Sequence, residues 1–198
     1  MRIPHASLRL PARLKRAASL LFALCACLSL AATARAQKRE HLTPEEIELV
    51  RDNQDLDART KVFIRAAARR LLAVTNPAES AKNAPKEKEK WGEVQGTRTQ
   101  LFYDISKILE EAVVNVDDVA EHNPESPLLR KSLFMLAEAT NRMLPELTKL
   151  REAAQNEAEA DQLDRALETA REITDAAKEK GVSAEDLKAK AKEAKKDN

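Results

Sequence analysis

The chain has 198 residues, of which 34% are charged and 3% aromatic, with three glycines, two cysteines and a formal net charge of +1. That length suits one domain with a real core. The composition excludes a disulfide framework, a glycine-rich phosphate loop and a cysteine-based metal centre.

The first 36 residues differ from the rest. Arg9, Arg13, Lys15 and Arg16 make a basic start, no acid precedes Glu40, and an apolar run follows from Leu20 to Ala32. Small residues at Ala32, Ala34 and Ala36 complete the order of charge, apolar segment and Ala-x-Ala site that marks a secretory signal peptide. The run of 13 residues is too short to span a membrane, which takes about 20. Cleavage is expected after Ala36, leaving Gln37 as the new terminus, with a cut after Ala34 as the neighbouring choice. A rival reading is lipidation at Cys27 within Leu24-Cys25-Ala26-Cys27. Against it, Leu28 and Leu30 continue the apolar run past that cysteine.

Both cysteines fall in this leader, so the 162 residues that remain have no thiol. They carry 28 basic and 33 acidic side chains, a net charge of −5. An acidic domain is a poor general binder of nucleic acid, which rewards a basic surface. The expected location is outside the cytoplasm, in a bacterial periplasm or the extracellular space, with no transmembrane helix after the leader.

Helix one is expected over residues 44–75. Thr43 can cap it, Pro44 suits the first helical position and Glu46 can close a capping box. Leu49, Leu56, Phe63, Ala67, Leu71 and Val74 keep to one stripe at helical spacing. Asn76-Pro77 ends it. Its charges run acid-first and base-last, with Asp57, Lys61, Arg65 and Arg69 in one line at four-residue steps. This order complements the helix dipole and supplies an ion pair one turn apart, although the basic half could also hold an anionic partner.

Residues 76–98 read as a long loop, interrupted by Pro77, Pro85, Gly92 and Gly96 and carrying the charge run from Lys86 to Lys90. Trp91, the single tryptophan, should dock at its end or serve as an interface anchor. Helix two presents Leu101, Phe102, Ile105, Ile108, Leu109, Ala112, Val113, Val116, Val119 and Ala120 on one face. Asp104, Lys107, Glu111, Asn115 and Asp118 lie on the other, and Asn123-Pro124 stops the helix. Helix three starts near Ser126-Pro127 and carries Leu129, Leu133, Leu136, Met143, Leu147 and Leu150, with a kink expected at Pro145. A phase slip places a turn near Asn156. Helix four then presents Leu163, Ala166, Leu167, Ala170, Ile173 and Ala177 and ends at Gly181. Residues 183–198 form a lysine-rich short helix or tail.

The expected fold is all-α: an antiparallel bundle of about four long helices over residues 37–182, following a cleaved signal peptide. Short connections make helices two, three and four antiparallel neighbours.

A search for chemistry yields little. Asp118, Glu121 and His122 share the end of helix two and are metal-ligand candidates, since residues three and four apart lie on one face. The plainer reading is a histidine interacting with a helix C-terminus and a carboxylate one turn back. Neither a Glu-x-x-His pair nor a haem-attachment motif is present. Paired acids such as Asp117-Asp118 arise by chance among 33. No catalytic residue and no cofactor are assigned. The sequence therefore favours a non-enzymatic protein that binds a protein or small-ligand partner, with Trp91, Phe134 and Met135 as candidate contact residues. A second copy of the chain could also cover an open face.

Overall fold

The computed structural model describes residues 39–184, so the leader with Cys27, Ala34, Ala36 and Gln37, and most of the lysine-rich tail, lie outside the described residues. The described residues are all-helical, with six helices and no strand: α1 Pro44–Asp52, α2 Leu56–Thr75, α3 Pro77–Trp91, α4 Arg98–His122, α5 Pro127–Glu152 and α6 Glu157–Glu179.

Helix α1 starts as its sequence prescribes. The Thr43 hydroxyl accepts from Glu46 N at 3.1 Å, and the Glu46 carboxylate accepts from Thr43 N at 3.0 Å. Two orphan amides are thereby satisfied reciprocally. The expected single rod over 44–75 is broken, however. Asn53 donates its side-chain amide to Leu49 O at 2.6 Å, and Arg59 Nε donates to Asn53 O at 3.1 Å. Carbonyls at the end of α1 thus gain side-chain partners, and α2 restarts at Leu56 with Asp55 as its N-cap. Leu49 and Leu56 are seven apart, so the apolar stripe gave no sign of the break.

Residues 76–98 are not a long loop either. Asn76 caps α3 by accepting from Glu79 N at 3.2 Å, and Pro77 occupies the first turn, where its missing N–H costs nothing. The helix passes through Pro85 and buries none of its residues. It is tied to α2 by charge: Glu87 pairs with Arg65 and accepts from Arg69 Nε at 3.0 Å. With no apolar face, α3 had no periodicity to betray it.

Helices α4 to α6 follow expectation closely. Thr97 and Gln100 form a second capping box and Asn123 ends α4. Phe102, Ile105, Ile108 and Leu109 are almost wholly buried, as are Leu136, Leu147, Leu163 and Ala166. Helix α5 continues through Pro145 to Glu152. Asn156 caps α6, accepting from Glu159 N at 2.9 Å. Helix α4 packs against α2 and α6, and α5 packs against the same two. Although a short turn joins α4 to α5, those two touch each other little. The expectation that they are close neighbours is corrected. The core lies where the buried faces of α2, α4, α5 and α6 meet. No helix among the described residues is long and apolar enough to cross a membrane.

Candidate functional site

The sparse contact between α4 and α5 leaves space beside their turn. A groove of about 460 Å³ opens there, lined by Val116, Ala120 and Pro124 on one side, Leu129, Arg130 and Leu133 on the other, and Lys180 with Val182 beyond α6. A smaller hollow of about 180 Å³ shares Val116, Leu133 and Lys180 with it, and adds Asp117 and Glu172. The lining is mainly apolar, with few charged groups, which is the usual make-up of a small-ligand site.

The groove has a fixed end. Arg130 on α5 donates to Lys180 O at 3.3 Å and Gly181 O at 3.0 Å. The terminal carbonyls of a helix lack partners of their own, so the guanidinium holds the end of α6 against α5. Gly181 permits the chain to turn away with φ +58°. Val182 then returns its amide to Ala177 O at 2.9 Å and joins the lining.

A second polar assembly is buried at the opposite end of the sequence. The Glu46 side chain is fully buried and receives Arg69 and Arg70, each at 2.6 Å. Arg69 also donates to Trp91 O at 2.9 Å and Gly92 O at 2.6 Å, while Arg70 donates to His41 O at 2.8 Å. Arg70 Nε has no hydrogen-bond partner and lies 4.0 Å from Asp104 Oδ2. Asp104, expected on the solvent face of helix two, is therefore buried beside a cation. This network joins α1, α2 and the end of α3. Apart from Arg70 Nε, its guanidinium nitrogens are engaged internally, so it is a clasp and offers little to a ligand.

The helix-one charge line resolves the same way. Asp57 accepts from Lys131 at 2.5 Å and lies 3.5 Å from Lys61. The Lys131 hydrogen bond is the main cause holding the Asp57 carboxyl below its ordinary range; burial opposes it, and the charges of Lys131 and Lys61 add to it. Arg65 and Arg69 face α3 and α1.

The metal-ligand candidates come together only in part. His122 Nδ1 lies 2.8 Å from Asp118 O and 3.4 Å from its carboxylate, on an exposed last turn, and Glu121 is exposed without joining them. Among the described residues no three histidine, cysteine or acidic groups converge as a metal site would need.

Trp91 is part-buried, with Arg69 and Lys90 each 5.9 Å from its ring centre, and its carbonyl accepts from Thr43 Oγ1 at 2.7 Å. Phe134 and Met135 are part-buried on α5 beside Leu133, but neither lines the groove. The three candidate contact residues thus share no surface with the groove, which sequence reasoning missed.

Compared with known protein families, with curated proteins and with solved structures, the chain matches none.

Proposed function

We propose that this chain is an exported helical-bundle protein that works by binding a partner rather than by catalysis. In this reading residues 1–36 are removed as a leader. Helices α2, α4, α5 and α6 form an antiparallel bundle in the cell envelope, and the groove beside the α4–α5 turn takes the partner. The observation that carries it is the groove itself: about 460 Å³ of mainly apolar space whose walls come from two core helices and the end of a third. Volumes of roughly 300–1,000 Å³ are typical of small-molecule sites. The apolar faces of the bundle behind it are buried against one another.

Native mass spectrometry of the protein recovered from the cell envelope, after expression from its full gene, tests this reading. A chain beginning at Gln37 with a bound species that departs on denaturation is the expected result. A chain that keeps Met1 and stays in the cytoplasm would overturn export. Absence of any bound species or partner in native spectra and in crosslinking would overturn binding.

A further inference from the structure

We infer that residues 185–198 are the groove's own cover: a helical segment that seats beside the α4–α5 turn and must be displaced before a partner enters. The displacement rests on the binding reading above; the seating does not.

Position is the first argument. The described residues end at Ala184, which is already helical. Two residues earlier, Val182 lines the groove, tied by its amide to Ala177 O and preceded by the two carbonyls that Arg130 grips. The segment therefore leaves the bundle from the groove wall itself. Ser183 suits a helix N-cap, and Glu185 and Asp186 suit a first turn. A cover tethered so closely meets the groove at an effective concentration of about millimolar, so a weak contact suffices.

Pattern is the second. Ala184, Leu187, Ala191 and Ala194 recur at steps of 3, 4 and 3 residues, which makes a narrow apolar stripe on a helix. Each of the last three is followed by a lysine: Lys188, Lys192 and Lys195. The groove wall carries the opposite sign in the same relation. Val116, Ala120 and Pro124 line it, and each is followed by an acid: Asp117, Glu121 and Glu125. All three acids are exposed, and none pairs with a cation among the described residues.

Direction decides whether the two edges meet. Successive residues step about 100° around a helix axis, and the sense is reversed in an antiparallel neighbour viewed from the same end. The positions that follow the two stripes then lie on one side of the contact, lysines against acids. Pro124, past the end of α4, and Val182, past the end of α6, share the groove. A segment entering from Val182 thus starts at the α4 terminus and runs against α4, as the charges require.

The test is amide hydrogen exchange, read by mass spectrometry, on the full chain as the cell processes it, at several protein concentrations. Exchange over residues 187–195 should be slowed about tenfold or more relative to open chain. A helix of this length is marginal alone in water, so such protection reports contact. L187D should remove it and speed exchange along residues 116–124. K188E/K192E should also remove it, and adding D117K/E121K should restore it. Asp117 and Glu121 are exposed, so the charge swap keeps the test decisive if L187D folds poorly.

Open-chain exchange in the parent protein overturns the proposal, as does protection that survives both L187D and the unrescued reversal. Protection that falls on dilution, together with a dimer, places the segment on a second copy and also overturns it. The species released in native spectra should bind about tenfold tighter to L187D than to the parent, and equal affinities overturn the displacement. Protection with rescue but no bound species in either protein supports the seating and defeats the binding reading. A bound species without protection defeats the cover and leaves the binding reading in place.

Discussion

Arg69 and Glu46 lie 23 residues apart and meet at 2.6 Å, with side chains 6% and 0% exposed. Arg70 reaches the same carboxylate oxygen. One acid thus anchors two adjacent arginines, and through them the Trp91 and Gly92 carbonyls that end α3. The clasp fixes α1 and α3 against α2, so the consequences of breaking it are stability consequences.

Glu46→Ala leaves two buried guanidinium groups without their shared carboxylate. Breaking a buried ion pair from one side costs about 3–5 kcal/mol. Urea denaturation should show a loss of that order; a loss within the range of a surface substitution would remove the clasp from this account.

Gly92 closes α3 with φ +68° and ψ −177°, a conformation that is essentially glycine's alone. An added Cβ would also collide with the Glu45 carboxylate and stand 2.7 Å from Thr43 Oγ1, which is held by its bond to Trp91 O. Gly92→Ala should cost about 1–3 kcal/mol from strain alone. Gly181→Ala, with nothing within 4 Å of its new methyl, should cost less. Paired thermal melts decide the order, and a reversed order would contradict the geometry.

The two threonine caps make a matched comparison. Thr97 supports α4 through a capping box on an exposed surface, and its loss should cost about 1 kcal/mol. Thr43 makes the same box while also donating to Trp91 O. Thr43→Ala should therefore be the more damaging, and equal costs would mean that the Trp91 bond contributes nothing.

Asp57 links stability to pH. Its folded carboxyl is held below the ordinary range, chiefly by the Lys131 hydrogen bond. A depressed folded value means that the unfolded chain takes up the proton first. The stabilisation is complete above the ordinary carboxylate pKa of about 3.9 and is lost as pH falls through the lowered folded value. Asp57→Asn should flatten that acid-side loss while costing about 1 kcal/mol or less at neutral pH, since Lys131 is half exposed. Unchanged acid sensitivity in the variant would detach Asp57 from the effect.

The legible parts of the fold were those encoded locally. Thr43-Pro44-Glu45-Glu46 marks a helix start because cap, proline and acid act within one turn, and the α6 stripe from Leu163 to Ala177 is buried throughout. The illegible parts depend on residues far apart in sequence. Asn53 breaks a helix without glycine or proline, through a side-chain bond that leaves the stripe in phase. Helix α3 is held by Glu87 and two arginines, and ionic tethers have no period to read. Arg69 and Arg70 sit in an ordinary charge series, and only the folding of Glu46, Trp91 and Gly92 onto them makes them interior groups. The groove had no local signal at all, because it arises from the divergence of two helices that a short turn joins.

The most direct test of the central claim is amide chemical-shift mapping of the isotope-labelled protein during titration with the species that the native protein releases on denaturation. The account predicts concerted, saturable shifts at Val116, Ala120, Leu129, Leu133 and Val182, the residues that line the groove. Shifts centred instead on Trp91 and the Phe134–Met135 surface, or no saturable shift anywhere, would contradict it.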